Sequence, residues 1–219
     1  MSRAVLFDWD GTLADTRLVV VATFQQVARE IGVEVSSEFI ERRIGTGAER
    51  TFKEILQDAG KPFDDKLVKK LLDEKVKTEI SLSRNVKLFP GALDLLKALR
   101  GKTRVALGSM NNRPVIEELL EYLQIKGFFE VVVTVEDVSK FKPDPEIFLK
   151  CAAKLGEKPE NCVVVEDSIF GVQAARAAGM HCIGVLTGVY TRAELSMANP
   201  GLIVESLAEK EKILKLIFP

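Results

Sequence analysis

Beyond about residue 90 the chain alternates between short apolar runs and helical stretches, and this alternation limits the available folds more than any other feature. The runs Arg104–Leu107, Val131–Val135, Cys162–Val165 and Cys182–Leu186 have the length and β-branched content of buried strands. Between them lie segments of about three helical turns, near Ala92–Leu99, Pro114–Leu123, Pro145–Leu155 and Ile169–Ala178. Leu202–Val204 reads as a further short strand and Leu207–Ile217 as a closing helix. Alternation of this kind builds an α/β fold with a doubly wound parallel sheet, because each crossover helix returns the chain in the same direction.

The first strand stands apart from the others. Ala4–Phe7 is apolar throughout and ends in Asp8, which suits a central strand buried on both faces. From Asp15 to about Ser83 the pattern is helical, in pieces around Val19–Val27, Phe39–Ile44, Phe52–Leu56 and Leu67–Val76, with no evident strand. Gly32, Gly45, Gly60 and Pro62 punctuate these pieces, and Arg84–Gly91 reads as a linker. Such a block is too long for a simple crossover. The expected organisation is a core of residues 1–15 and 85–219 with an inserted helical cap of residues 16–84. Ligands of open parallel sheets bind outside the carboxyl ends of the strands, where a cap inserted after the first strand would hang.

With 47% hydrophobic and 29% charged residues, the 219-residue chain has ordinary globular usage. A formal net charge of -1 gives no global attraction to nucleic acid or to an acidic membrane. The N-terminus reaches Asp8 before a signal-peptide core could form, and no apolar run approaches the roughly 20 residues of a membrane span. Cys151, Cys162 and Cys182 are odd in number and read as small buried hydrophobes. A cytoplasmic protein is expected.

Chemistry-bearing residues gather at the strand ends. In Asp8-Trp9-Asp10-Gly11-Thr12, the two acids point the same way if the backbone is extended, about 6.5–7 Å apart. One can attack a phosphorus atom while the other reaches the leaving oxygen. Gly11 permits the tight turn that follows, and Trp9 faces the opposite side and packs. Ser109 ends the second core strand with a hydroxyl, Lys142 follows the third in Lys-Pro-Asp-Pro, and Glu166-Asp167 ends the fourth. Each alone reads as a cap or a solvated charge. Acids at two strand ends, a hydroxyl at another and a nearby lysine fit phosphoryl transfer, in which an anionic nucleophile needs a cation to approach a phosphate dianion. Magnesium, with its preference for oxygen ligands, suits Asp8 and Asp167, with Glu166 as a further candidate.

Other routes to the same chemistry are missing. His181 is the single histidine, so a histidine-rich dinuclear centre is excluded. No cysteine precedes an arginine at the spacing of a cysteine phosphatase loop, and no phosphate-binding P-loop occurs. Gly45-Thr46-Gly47-Ala48-Glu49-Arg50 fails as a dinucleotide fingerprint, since Arg50 replaces the third glycine and no strand precedes it.

The set Asp8–Thr12, Ser109, Lys142–Pro145 and Glu166–Ser168 resembles the haloacid dehalogenase superfamily over essentially the whole chain. The resemblance implies a Rossmann-like core with a helical cap, closest in look to the phosphoglycolate phosphatase and beta-phosphoglucomutase branch. It implies that Asp8 forms a phosphoaspartyl intermediate and that Asp10 protonates the leaving group, then takes a proton from water. Magnesium would be held by Asp8, Asp167 and the Asp10 backbone carbonyl. Ser109 and Lys142 would grip the phosphoryl group, with Glu166 orienting Lys142 or reaching the metal through water.

Within that resemblance, Asp10 argues against the metal-independent dehalogenases. The Schiff-base lysine of phosphonatases falls at or near Ala48, the cap histidine of phosphoglucomutases at Val20, and their phosphate-gripping arginine near Ala48. Arg42, Arg43, Thr46 and Arg50 remain as expected cap contacts to a small phosphorylated metabolite. Gly45-Thr46-Gly47 looks most like phosphoglycolate phosphatases, and an arginine can pair two-pronged with a carboxylate. Phosphoglycolate therefore leads the expected substrates, ahead of sugar phosphates. A phospho-accepting receiver module is disfavoured by the late acidic pair and the large insertion; an inactive binding member of the family is the other alternative.

Overall fold

The computed structural model describes residues 4–218; Met1–Arg3 and Pro219, the outer residues of the expected core, lie outside this range. In chain order, β1 (Ala4–Phe7) and the short β2 (Ala14–Asp15) precede helices α1 (Arg17–Arg29), α2 (Ser37–Glu41), α3 (Ala48–Asp58) and α4 (Asp65–Leu82). The chain re-enters the core through β3 (Lys87–Leu88), followed by α5 (Ala92–Leu99), β4 (Arg104–Gly108), α6 (Arg113–Tyr122) and β5 (Val131–Val133). Then come α7 (Glu146–Leu155), β6 (Cys162–Glu166), α8 (Ile169–Ala177), β7 (His181–Val185), α9 (Arg192–Met197), β8 (Leu202–Val204) and α10 (Lys210–Ile217).

The main sheet has six strands in the order β5-β4-β1-β6-β7-β8, paired in parallel throughout. Val5 lies opposite Val105 on one side and Val163 on the other, so β1 is enclosed by neighbours. Its residues alternate between two cores. Val5 and Phe7 pack with Leu95, Leu119 and Ile213, whereas Ala4 and Leu6 pack with Phe148, Cys151 and Ala175. Full burial of Leu6 or Phe7 stabilises the fold by about 1.5–3 kcal/mol each. The chain winds outward through β4 and β5, then returns to the other side of β1 for β6, β7 and β8. The carboxyl ends of β4, β1 and β6 therefore meet where the winding reverses, which opens a crevice there.

Helices α1–α4 carry an apolar cluster of their own that includes Phe24, Val27, Ile40, Phe52, Leu56 and Leu71. Phe24 and Phe52 meet with ring centroids 4.7 Å apart. Asp64 caps α4 by accepting a hydrogen bond from the Leu67 N–H at 2.8 Å. The first half of α4 packs within this cluster through Val68 and Leu71, and its second half docks on the main core through Val76, Ile80 and Leu82.

Several local readings change. The segment read as a linker contains β3, which pairs antiparallel with β2 (Ala14 opposite Leu88) and ties together the two crossings between cap and core. A two-residue pairing between distant segments leaves no periodicity to detect. The strand expected to reach Val135 stops at Val133, because Thr134 and Asp137 form a capping box that turns the chain. Helix α9 was not anticipated, although Thr191 and Glu194 cap it in the same manner. The final helix begins at Lys210, and Leu207 is buried ahead of it in the core. All three cysteines are buried and free, and no helix among the described residues is long and apolar enough to cross a membrane.

Because helices α1–α4 share an apolar cluster of their own, Phe52→Ala should cost about 3–5 kcal/mol there. Hydrogen exchange is expected to accelerate in α1, α3 and α4 while β1 and β6 stay protected. Equal acceleration in sheet and cap would show that they unfold as one unit.

Candidate active site

Asp8 follows β1 directly, and its N–H donates to the Val165 carbonyl of β6 at 3.0 Å, which fixes the acid at the sheet edge. The chain then turns tightly: the Leu13 and Ala14 N–H groups both donate to the Trp9 carbonyl at 3.1 Å. Trp9 itself is buried in the main core. Gly11 has φ +85, and a Cβ there would lie 2.4 Å from Asp167 Oδ2. Glycine is thus required both by the turn and by the close approach of Asp167. A Cβ at Gly188 would come within 1.8 Å of the same oxygen, so two glycines cradle this carboxylate.

Lys142 holds the acids together. Its Nζ donates to Asp8 Oδ1 at 2.5 Å and to Glu166 Oε1 at 2.7 Å, with the side chain fully buried. Glu166 Oε2 accepts from the Ser168 N–H at 2.7 Å and its hydroxyl at 2.9 Å, so Glu166 is engaged at both oxygens and steers Lys142. Thr12 Oγ1 donates to Asp167 Oδ1 at 2.9 Å. On the other flank, Asp10 accepts from Thr16 Oγ1 at 2.8 Å and, at 3.5 Å, from the Ser109 hydroxyl at the end of β4. The structure thus brings Asp8, Asp10, Ser109, Lys142, Glu166 and Asp167 into one buried group.

Burial dominates the electrostatics. It pushes Asp8 up to about 7, against the lowering pull of Lys142 and with added repulsion from Glu166 and Asp10. Burial, then the charge of Glu79, pushes Asp10 up to about 6, opposed by the Thr16 hydrogen bond and by Lys75. Asp167 is held well above the usual carboxylate range by burial and by the Glu166 and Asp8 charges. Burial would lower Lys142, but Asp8 and Glu166 outweigh it and hold the ammonium charged.

Carboxylate oxygens of Asp8, Glu166 and Asp167 lie within 4.8 Å of one another. The hydrogen bonds to Asp8 and Asp167 fall on Oδ1 of each, so neither Oδ2 is taken by a hydrogen bond among the described residues. Excess negative charge, hard oxygen donors and a glycine cradle around Asp167 fit a magnesium ion.

The expected cap contacts separate. Arg43 lines a cleft together with Asp10, Phe24, Ile44, Lys75 and Asn111. Its Nε donates to Glu54 Oε2 at 2.5 Å, and Nη1 to the Phe39 carbonyl at 2.9 Å. Arg50 donates to the other Glu54 oxygen at 2.8 Å from a more exposed position. The Thr46 hydroxyl is buried and donates to the Arg43 carbonyl at 2.7 Å. Arg42 turns to the core, pairing with Glu194 at 2.9 Å while the Tyr190 hydroxyl donates to its carbonyl at 3.0 Å. Arg42, Thr46 and Arg50 are not among the residues that line the cleft.

Sequence reasoning missed Lys75, Glu79 and Asn111. Lys75 Nζ donates to Asn111 Oδ1 at 2.5 Å and pairs with Glu79 Oε2 at 2.6 Å, and Asn111 Nδ2 donates to Glu79 Oε1 at 2.7 Å. A signal was present: Lys75 and Glu79 fall on the buried stripe of α4 that begins with Val68 and Leu71.

Residues 5–185 match the family of haloacid dehalogenase-like hydrolases. The chain belongs to that family. Among curated haloacid dehalogenase-like relatives, it is 31% identical over 181 residues to fructose-1-phosphate phosphatase YqaB of Escherichia coli, covering 83% of this chain and 95% of that protein. It is 30% identical over 217 residues to a phosphoglycolate phosphatase of Nitrosospira multiformis, covering 97% and 96%. The crystal structure of a beta-phosphoglucomutase from Clostridium difficile superposes with a TM-score of 0.87 at 25% identity, over 100% of each chain. The Rossmann-like core is therefore that of a haloacid dehalogenase-like hydrolase.

The raised acids have a consequence for stability. Between the ordinary value of 3.8 and about 7, the folded protein retains a proton at Asp8 that the unfolded chain has released. This contribution destabilises the metal-free fold as pH rises through that window. Asp167→Asn, which removes a carboxyl that stays protonated in the metal-free fold but ionises in the unfolded chain, should raise the metal-free melting temperature, with a gain that grows as pH rises above the ordinary carboxylate value towards neutrality. Calorimetry in chelator checks this; a variant that gains nothing at the higher pH would show that the acids are not the source of strain.

Proposed function

We propose that the protein is a magnesium-dependent phosphatase of the cytoplasm, hydrolysing small phosphate monoesters through a phosphoaspartyl intermediate on Asp8. The observation that carries this reading is the pairing of Asp8, bound to a buried lysine, with Asp10, whose raised proton affinity suits a neutral-pH proton donor. The phosphatase names of the two relatives support it.

In the first half-reaction a carboxylate oxygen of Asp8 forms a bond to phosphorus as the ester P–O bond breaks. Asp10 gives its proton to the departing oxygen, and an alcohol leaves. In the second, water attacks phosphorus while the Asp10 carboxylate takes its proton, the P–O bond to Asp8 breaks, and inorganic phosphate is released. Lys142 and the Ser109 hydroxyl hold phosphoryl oxygens throughout. Glu166 keeps Lys142 in place. Asp8, Asp167 and the Asp10 carbonyl would hold magnesium, which would supply the positive charge that lets a carboxylate approach a phosphate dianion.

Release to water, rather than return of phosphate to a second sugar hydroxyl, is supported by Val20 and Ala48. Both line the cleft as small apolar residues at the positions where the resemblance puts the mutase histidine and arginine. Candidate substrates are phosphoglycolate and sugar phosphates. Arg43 is the expected cap arginine that the cleft admits.

Asp8→Asn should fold normally and lose turnover by at least about 10³-fold. Chelation should remove activity and magnesium restore it. Asp10→Asn should lower kcat by about 10²–10⁴-fold for alkyl phosphates but far less for p-nitrophenyl phosphate, whose leaving group needs little protonation. Near-normal turnover by Asp8→Asn would sink the covalent route.

A further inference from the structure

The cap side of the cleft carries a second buried ionic group, and its chemistry bears on the leaving group. Lys75 and Glu79 are 2% and 1% exposed, and they meet Asn111, which belongs to the core two residues beyond Ser109. Lys75 has three polar partners: Asn111 Oδ1, Glu79 Oε2 and, at 3.4 Å, Asn112 Oδ1. Glu79 Oε2 lies near the ammonium but accepts no aligned hydrogen bond among the described residues. The Asn111 N–H donates to Ser109 Oγ at 3.0 Å, so this group adjoins the expected phosphoryl grip. Lys75 and Asn111 both line the cleft with Asp10.

Docking of the cap does not account for such a group. A buried ion pair seldom stabilises more than well-packed apolar residues would, and Val76, Ile80 and Leu82 already dock α4 on the core. What the group adds is a hydrogen-bonding character. At the cleft wall Lys75 donates and Asn111 donates and accepts, which matches a hydroxyl, itself donor and acceptor, while Glu79 lies behind them. A carboxylate only accepts, and it would face Asp10 with Glu79 close behind. Charge points the same way: Glu79 neutralises Lys75, and Glu54 with the Phe39 carbonyl engages Arg43. Entry of a carboxylate would have to displace Glu54. The apolar wall, including Phe24 and Ile44, suits the C–H faces of a polyol.

We propose that Lys75 and Asn111, held and neutralised by Glu79, form a specificity group that reads the hydroxyls of an uncharged polyhydroxy leaving group, selecting polyol or sugar phosphates over carboxylate-bearing esters such as phosphoglycolate. The inference rests on the phosphatase reading above and names its substrate class.

The test compares sorbitol 6-phosphate, 2-phosphoglycolate and p-nitrophenyl phosphate with magnesium present. The wild-type kcat/KM should favour the polyol ester over phosphoglycolate by at least about tenfold. Equal or reversed preference overturns the proposal. Lys75→Met should lower kcat/KM for the polyol ester about 100-fold and for the aryl ester less than about threefold. An equal loss on both would reduce Lys75 to packing. Glu79→Gln keeps the shape of the side chain, so it decides the matter should Lys75→Met fail to fold. By leaving Lys75 uncompensated, it should raise the phosphoglycolate-to-polyol ratio about tenfold, and an unchanged ratio counts against the idea. Calorimetric binding of the same esters to Asp8→Asn protein separates the two readings. Selective, Lys75-dependent binding without wild-type turnover would overturn the phosphatase reading alone, whereas turnover without selectivity would overturn this one.

Discussion

Lys142 sits fully buried between Asp8 and Glu166, and the arrangement of the catalytic end of the sheet depends on that one ammonium. Four acids, Asp8, Asp10, Glu166 and Asp167, are buried within this region. Their mutual repulsion and loss of hydration would scatter them if they stood on mobile loops. They are held instead by rigid attachments. Asp8 is tied by its backbone to β6, Glu166 lies at the end of β6 and is bonded by Ser168, and Asp167 is wedged against Gly11 and Gly188. The parallel sheet supplies what the acids cannot supply for themselves, a common edge where three strand ends meet. Its central strand is hydrophobic on both faces, so the cost of concentrating charge at one end is offset by burial along the rest.

Glu166 and Asp167 show how adjacent residues on one strand end divide the work. Glu166 is directed towards Lys142, and both of its oxygens are engaged. Asp167 accepts one hydrogen bond from Thr12 on Oδ1, and its Oδ2, against Gly11 and Gly188, has no hydrogen bond among the described residues. One acid therefore positions the cation and the other is free to act as a ligand. A similar division separates Asp8 from Asp10. Burial raises both, but Asp8 is bonded by Lys142 and repelled by Glu166, whereas Asp10 is bonded by Thr16 and repelled by Glu79. Two like residues separated by one tryptophan thus have different partners at the same strand end.

Most of the core was legible in the sequence because its signals are local. The runs at Ala4–Phe7, Cys162–Val165 and Leu202–Val204 are short, apolar and bounded by turns, and the acids follow them directly. Lys142 was found from its Lys-Pro-Asp-Pro setting, since a lysine beside a helix start carries no periodicity of its own. The parts missed are those that depend on distant contacts. The β2–β3 pair has two residues on each side, and Thr12 gains its partner only when β6 lies beside β1. Arg42, Arg43 and Arg50 form a basic cluster in sequence, but Glu54 lies between Arg43 and Arg50, a contact visible only once α3 is folded. Lys75 and Glu79 broke a local rule by placing charge on a buried helical stripe. Such conflicts between pattern and chemistry concentrate where function overrides stability.

Lys75 and Lys142 are both buried lysines, and each is gripped by a carboxylate and faces the same region from opposite sides. Their attachments differ in one respect. Lys142 is bonded within the core, so the nucleophile end is assembled whether or not the cap is docked. The Lys75 group is complete only when α4 meets Asn111, since the lysine and glutamate come from the cap and the amide from the loop after β4. Asn111 also contacts Ser109, which in turn reaches Asp10. A continuous line of polar contacts therefore runs from α4 to Asp10. Separation of the cap from the core would break this line at its first contact and leave two buried charges to be resolvated. The docked arrangement accordingly favours, in a single step, a shielded Asp10 and a completed polar wall facing the leaving group.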